Sequence, residues 1–364
     1  MSSDGFNRRE RVVNRNGDTN EENVSRVVSQ EVSPESTQNQ SIVKRVMSLM
    51  TLSMTILVMV YYTTQCNDTK ELVMASATQS IRGSPLGRQV MCSQDYTEDR
   101  VRFPSCAPQR CGRFVSDSVV TQSEAKHLLS VAKRGLSLGG SSGPISALDL
   151  HTGVLSMATN FVNIYELMER TQRKEEDLKE LFTEKDLKVY RRVTNRIRKT
   201  IAIHFGVPSA ELYLSVGPTI FARHTTKRPK TKEDVYWGRH VDKRLNKCFQ
   251  FTSVLYLATY GSDFTGERFA FMDQMSNTTI EPKLGRLSAY TSGSENWHFV
   301  ERVTSGTRYT LLMAFTCDPK LAKKYPQIIR PQTCAQPLCW LYRVGCPTLN
   351  ILKPKQIKLL HNLD

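Results

Sequence analysis

The sequence predicts a mainly β fold with flanking helices, preceded by a single transmembrane helix. Short apolar segments recur about every ten residues between residues 251 and 315 without helical patterns between them, as in β-sandwiches and barrels. Two segments upstream have apolar residues at helical spacing. Residues 46–64 form an uncharged run of 19 residues, which is long enough to cross a bilayer.

The N-terminal segment sets the expected compartment. Residues 1–45 are polar and carry seven Lys/Arg and seven Asp/Glu, which predicts disorder and assigns the net charge of +15 to the rest of the chain. Lys44 and Arg45 precede the apolar run, so the positive-inside rule places the N-terminus in the cytosol. We expect a single-pass type II anchor with the large domain in the lumen of the secretory pathway, in the endoplasmic reticulum. A cleaved signal peptide is the alternative.

A luminal position bears on charge and modification. A luminal domain rarely meets nucleic acid, so the basic composition does not indicate a nucleic-acid partner. Asn67 and Asn277 begin N-x-Thr sequons and are the expected glycosylation sites, whereas the sequons at Asn23 and Asn39 should stay bare in the cytosol.

All nine cysteines follow the apolar run, as expected of a disulfide-containing luminal protein. One group lies in a loop-rich segment and the end of the last predicted strand: Cys92, Cys106, Cys111 and Cys317. A second group lies in the basic tail: Cys334, Cys339 and Cys346. The sequence leaves the connectivity open. Cys66, beside the membrane, could link two chains into a homodimer, and Cys248 is expected to be a buried thiol.

Two helices are expected between the cysteine-containing segment and the strands. Thr121 and Glu124 form a capping-box pattern, and Gly135 is the expected stop of that helix. The second helix should run from near Thr183 to Gly206 and pack its apolar side against the β core. The predicted regions are 1–45 (disordered), 46–64 (anchor), 65–120 (cysteine-containing lead-in), 121–206 (helical region), 207–318 (β core) and 319–364 (basic tail).

The candidate chemistry lies in His240, Asp242, His298 and Arg308. On a strand, side chains two apart share a face, so His240 and Asp242 should point the same way. A distant His298 would complete two imidazoles and one carboxylate, which is the ligand set of non-haem Fe(II) oxygenases. Arg308 offers a fork of donors for a carboxylate, and Thr310, on the same strand face, could assist it.

The order of motifs resembles the prolyl 4-hydroxylase-type Fe(II)/2-oxoglutarate dioxygenases over roughly residues 90–318. After His240-x-Asp242 come a buried Leu-Tyr-Leu strand, Asp-Phe-x-Gly-x-x-Phe from Asp263, and Pro-x-x-Gly from Pro282; a distal histidine and Gly-x-Arg-Tyr then follow. The resemblance implies a double-stranded β-helix (jelly-roll) core. It departs from many prolyl hydroxylases in having Arg308 where they have lysine. The family's second 2-oxoglutarate contact has no clear counterpart, although Phe221 and Arg223 lie in the right stretch.

The resemblance also implies an activity. His240, Asp242 and His298 match the iron ligands, and Arg308 matches the residue that pairs with the distal carboxylate of 2-oxoglutarate. The implied enzyme decarboxylates 2-oxoglutarate to succinate and CO2, uses L-ascorbate to keep the iron ferrous, and hydroxylates a side chain, Pro or Lys, of a protein substrate.

Two other functions remain open from the sequence. A membrane-anchored jelly-roll could be a catalytically inactive binding module with a structural metal. Alternatively, the cysteine-containing tail could recruit a partner in a luminal interaction protein, so that deletion of the tail, rather than Arg308→Ala, would abolish function.

Overall fold

The computed structural model describes residues 34–66, 71–164, 181–231 and 234–323. The helices are α1 (Pro34–Cys66), α2 (Thr97–Arg102), α3 (Gln122–Ser137), α4 (Glu184–Phe205) and α5 (Asp242–Leu245). The strands are β1 (Glu71–Ala75), β2 (Leu86–Val90), β3 (Cys111–Ser116), β4 (Gly140–Ser141), β5 (Ile145–Leu148), β6 (Val154–Ala158), β7 (Asn160–Asn163), β8 (Tyr213–His224), β9 (Phe251–Tyr256), β10 (Phe264–Gly266), β11 (Phe269–Met272), β12 (Asn277–Ile280), β13 (Leu287–Thr291), β14 (His298–Val300), β15 (Val303–Gly306) and β16 (Arg308–Thr316). Short 3₁₀ turns lie at Gln94–Tyr96, Ser294–Asn296 and Pro319–Leu321.

The chain divides into two compact units, Met1–Asp68 and Thr69–Asp364. In the first unit, the segment Ile42–Tyr62 of α1 is long and apolar enough to cross a membrane. Its apolar side chains are exposed. Because α1 begins at Pro34, residues 34–45 are helical in this structure, where the sequence analysis expected disorder.

Two sheets form the core of the second unit. The main sheet has the order β2-β3-β13-β9-β16-β8-β5-β6-β4, with β7 paired to β6. A smaller sheet has the order β1-β12-β11-β14, and β10 pairs with β15. Side chains of both sheets, among them Val254, Tyr256, Phe271 and Ile280, share one buried cluster. This arrangement is the predicted jelly-roll, to which the lead-in contributes β1, β2 and β3.

The alternation of side chains along β9 gives the main sheet two different faces. Val254 and Tyr256 point into the space between the sheets, whereas Leu255 points to the other face and joins a cluster with residues of α3 and α4. The two helices therefore pack on the outside of the jelly-roll, as their apolar periodicity predicts. The inner face is left for the site described below.

The helix ends follow the predicted signals except at one position. Thr121 and Glu124 form the capping box of α3, Thr183 caps α4, and Gly206 ends α4 with a φ of 71°. Gly135, however, does not stop α3, which continues to Ser137. A Cβ at Gly135 would lie 2.2 Å from Leu148 Cδ2 of β5. The glycine is therefore explained by close packing of the helix on the sheet.

One disulfide lies within the lead-in, and another joins the lead-in to the β core. Cys92 bonds to Cys111 and Cys106 bonds to Cys317, with sequence separations of 19 and 211 residues. Cys248 is also disulfide-bonded, so the expectation that it is a buried thiol was wrong. Cys334, Cys339 and Cys346 and the side chain of Cys66 lie outside the described residues.

The two disulfides give a stability prediction. If cross-links act by restricting the unfolded chain, Cys106→Ser with Cys317→Ser should lower the free energy of unfolding more than Cys92→Ser with Cys111→Ser. The difference expected from the loop lengths is about 2 kcal/mol. Urea unfolding of the full-length chain in detergent measures it, with tryptophan fluorescence as the signal. Equal losses for the two pairs would contradict the entropic explanation.

Candidate metal centre

The two candidate histidines are brought together by backbone pairing. His240 and His298 form an antiparallel bridge, in which each backbone amide donates to the other residue's carbonyl at 2.9 and 3.1 Å. His298 begins β14, which pairs with β11 in the smaller sheet. Asp242 is the first residue of the helical turn α5. The sequence analysis expected it to lie on a strand with His240, which was wrong. The intervening Val241 is extended, and this brings the Asp242 carboxylate back to the histidines.

The three side chains can surround one ion. Their ligand atoms all lie within 4.8 Å of one another. Asp242 Oδ1 is 3.7 Å from His240 Nε2 and 3.7 Å from His298 Nε2. Two imidazole nitrogens and one carboxylate on one side leave the opposite side of the ion open, as suits an Fe(II) centre that takes further ligands.

Hydrogen bonds orient both imidazoles. His240 Nδ1 lies 2.7 Å from the Gly238 carbonyl, and His298 Nδ1 lies 2.9 Å from the Asn296 carbonyl. A carbonyl can only accept, so Nδ1 carries the proton in each ring and Nε2 presents its lone pair to the centre. Phe269 stacks on His298 with ring centroids 5.0 Å apart, which fixes that ring further.

The electrostatics keep the ligands ready to bind a cation. Burial lowers the pKa of His298 to about 4, against the opposing effect of Asp242, so this imidazole is neutral near pH 7. Burial and the Asp242 charge raise the pKa of Tyr290 well above its ordinary value. Tyr290 therefore stays protonated and donates to Asp242 Oδ2 at 2.9 Å, which leaves Oδ1 directed at the histidines.

A second group of polar side chains lies on the same inner face. Arg308 is 3% exposed, begins β16, and has its guanidinium 5.5 Å from the centre of the Tyr256 ring. Thr310 is also buried and pairs with Tyr256 on β9. Within the described part of the chain, Arg308 Nε and the Tyr256 hydroxyl are buried donors without hydrogen-bond partners. A carboxylate placed between them would accept from both, so the pocket fits the predicted site for the distal carboxylate of 2-oxoglutarate.

Tyr256 is a site residue that sequence reasoning missed. Burial raises its pKa to about 12, against the opposing charges of Arg308 and Arg286, so the hydroxyl remains a donor. The available signal was the alternation of side chains along β9, which places Tyr256 on the face opposite to that of Leu255. The two residues proposed from position do not reach the inner face. Phe221 belongs to the outer cluster, and Arg223 donates to Ser146 at 3.2 Å.

Two further residues complete the surroundings of Arg308. His224 is the buried last residue of β8 and pairs with Arg308 in the sheet. Glu267 is fully buried, and its Oε1 accepts from Arg308 Nη1 at 3.1 Å and contacts His224 Nδ1. Glu267 occupies a variable position of the Asp-Phe-x-Gly-x-x-Phe pattern, so the sequence carries no signal for its role.

The glycosylation predictions stay untested. Asn277 begins β12 and is half-buried. Asn67 lies outside the described residues, as do Lys232 and Glu233, which precede His240 in the chain.

The chain matches known proteins over this region. Residues 228–316 match the family described as the 2OG-Fe(II) oxygenase superfamily. The human protein named 2-oxoglutarate and iron-dependent oxygenase domain-containing protein 3 is 46% identical over 231 residues, covering 64% of this chain and 70% of the relative. The Xenopus tropicalis protein of that name is 46% identical over 233 residues, covering 64% and 71%. Prolyl 3-hydroxylase 2 of Gallus gallus is 26% identical over 152 residues, covering 37% of this chain and 21% of the relative.

Among solved structures, a Burkholderia pseudomallei oxidoreductase of the 2OG-Fe(II) oxygenase family aligns with a TM-score of 0.34 at 13% identity, covering 69% of this chain and 100% of that one. The family predicted from the motifs is confirmed by the sequence relatives. The chain belongs to the 2OG-Fe(II) oxygenase superfamily, whose members use Fe(II) and 2-oxoglutarate.

Proposed function

We propose that this protein is a membrane-anchored Fe(II)- and 2-oxoglutarate-dependent dioxygenase that hydroxylates a Pro or Lys side chain of a protein in the secretory pathway. The observation that carries the proposal is the convergence of His240, Asp242 and His298 on one point of the inner face that also holds Arg308 and Tyr256.

Each residue has a role in this proposal. His240, Asp242 and His298 hold Fe(II), while Arg308 and Tyr256, assisted by Thr310, bind the distal carboxylate of 2-oxoglutarate. With iron and 2-oxoglutarate bound, the site would supply oxidation by dioxygen: one oxygen atom of O2 would enter the substrate C–H bond as a hydroxyl, and the other would enter succinate as 2-oxoglutarate loses CO2. Tyr290 holds the Asp242 carboxylate in orientation, and Phe269 and Phe271 exclude water around His298.

Other features of the chain and its relatives support the proposed substrate class and compartment. The prolyl 3-hydroxylase relatives act, by their name, on prolyl groups, which supports a protein side chain as substrate. The exposed apolar helix supports a single-pass anchor, and Lys44 and Arg45 before the apolar run support a luminal position for the oxygenase unit. An oxidising lumen suits the Cys92–Cys111 and Cys106–Cys317 disulfides. In this setting L-ascorbate would return the iron to Fe(II), and Cys66 could join two chains.

The metal and co-substrate site can be tested spectroscopically. Anaerobic full-length protein with Fe(II) and 2-oxoglutarate should show the visible charge-transfer band of a chelated 2-oxo acid. His298→Ala should abolish the band because a metal ligand is lost, and Arg308→Ala should need at least about tenfold more 2-oxoglutarate because a buried charge-assisted bond is lost.

The controls for this titration are His127→Ala and Arg191→Ala, which alter a histidine and an arginine outside the site. Both should give the wild-type band and affinity. Folded, iron-loaded wild type without a band would refute the oxygenase proposal and favour the binding-module alternative.

The hydroxyl of Tyr256 gives a second prediction. Tyr256→Phe removes a buried donor without changing the shape of the ring, so the affinity for 2-oxoglutarate should fall about five- to tenfold, as expected for one hydrogen bond of about 1–1.4 kcal/mol. The same anaerobic titration measures this. Tyr309→Phe is the matched control, since Tyr309 is the next residue after Arg308 on β16 but packs on the outer cluster. Similar effects of the two variants would remove Tyr256 from the site.

The orientation of the anchor predicts a glycosylation pattern. In secretory cells the wild-type chain should lose mass on endoglycosidase treatment, and Asn67→Gln with Asn277→Gln should abolish that shift, as read by gel mobility. Asn39→Gln should change nothing because its sequon lies on the cytosolic side. A glycan at Asn39 would instead show that the topology is inverted.

A further inference from the structure

The cation of the co-substrate pocket already has a carboxylate partner. Arg308 Nη1 donates to Glu267 Oε1 at 3.1 Å, and their side chains are 3% and 0% exposed. Glu267 reaches this position from the connection between β10 and β11, where its backbone amide donates to the Arg302 carbonyl at 3.1 Å. An acidic side chain of the chain itself therefore lies where a dicarboxylate ligand needs the positive charge.

The backbone at Glu267 is unusual for its residue type. Its φ is 49°, in the left-handed region that non-glycine residues adopt at a cost. The side chain is nevertheless fully buried, and its second oxygen, Oε2, has no hydrogen-bond partner among the described residues. Contacts with Arg308 and His224 hold the Glu267 side chain in place, although its Oε2 is unsatisfied and its backbone has a positive φ.

The charges of the cluster balance without a ligand. His224 is neutral near pH 7 because burial, and then the Arg308 charge, hold its pKa well below the ordinary value. The negative charge of the Glu267 carboxylate is therefore the partner of the positive charge of Arg308. A second carboxylate entering from 2-oxoglutarate would leave one buried negative charge unpaired, which is costly in a site shielded from water.

We propose that Glu267 is an internal carboxylate that competes with the distal carboxylate of 2-oxoglutarate for Arg308 and so limits the affinity of this chain for its co-substrate. This inference rests on the function proposed above. The inference identifies Glu267 as a specificity-determining residue. Its carboxylate lowers the affinity for 2-oxo acids that carry a second carboxylate and leaves the affinity for those with only one unchanged.

The test compares two 2-oxo acids on neutralised variants. Glu267→Gln keeps the size of the side chain and removes its charge, and Glu267→Gly removes the side chain and suits the positive φ. The full-length, Fe(II)-loaded protein is titrated anaerobically with 2-oxoglutarate, or with pyruvate, which has the same chelating groups but no distal carboxylate. Calorimetry and the charge-transfer band report the affinity without turnover.

We expect both variants to bind 2-oxoglutarate about tenfold more tightly than wild type, or about 1.4 kcal/mol, with pyruvate affinity unchanged. Glu301→Gln is the matched control, because Glu301 is a partly exposed glutamate that pairs with Arg268 next to Glu267 in the chain. It should leave the affinities for both ligands at the wild-type value.

The outcomes separate this inference from the proposed function. If wild type binds 2-oxoglutarate and both Glu267 variants bind it equally or more weakly, the inference is overturned while the oxygenase proposal stands. If pyruvate gains as much affinity as 2-oxoglutarate, Glu267 acts on the metal site and the inference also fails. If neither wild type nor the variants bind 2-oxoglutarate although they bind Fe(II), both the inference and the oxygenase proposal fail.

Discussion

The structure depends on how charges are satisfied between the two sheets of the jelly-roll. Arg286 and Arg308 are both buried there, but only Arg286 is fully paired. Its guanidinium donates to both oxygens of Asp117 and to the carbonyls of Ala75, Ser76, Gln79 and Glu281, and so ties the lead-in to β13. Arg308 has one carboxylate contact and, within the described chain, an unsatisfied Nε. Arg308 therefore keeps a donor available for a ligand, whereas the donors of Arg286 are used by the scaffold.

The same reasoning applies to the metal centre. Asp242 is held by the Tyr290 hydroxyl through one oxygen, while the other faces two histidines at 3.7 Å. Both imidazoles have their Nδ1 protons bound by backbone carbonyls, which leaves three ligand atoms directed at one point. The positions of these atoms are set by strand pairing and by a short turn. The site is preorganised by the fold, and the metal adds the attraction that the clustered lone pairs lack on their own.

Much of this arrangement could be predicted from the sequence, and what could not has a physical cause. The ligand triad, Arg308, the two flanking helices and the jelly-roll were accessible because they depend on local patterns and on motif order. Asp242 was placed on a strand because the two-residue spacing does not distinguish an extended segment from one that turns into a helix after Val241. Gly135 was misread because its reason is a contact with Leu148, which is distant from the helix-end signal. Glu267 and His224 were missed because their burial beside Arg308 results from the pairing of three separate segments.

The unequal burial of the site implies an order of access. Arg308 and Tyr256 lie at the closed end with 3% and 0% of their surface exposed, whereas the His240 side chain is 28% exposed and marks the open side. Burial places Arg308 deeper than His240, so under the proposed function a co-substrate held at Arg308 would enter before a protein substrate covers the His240 side. Any residue that holds Arg308 beforehand therefore acts on the first step of binding, ahead of substrate recognition. The proposed function therefore assigns selection among co-substrates to the buried side chains near Arg308 and selection among substrates to the exposed side near His240.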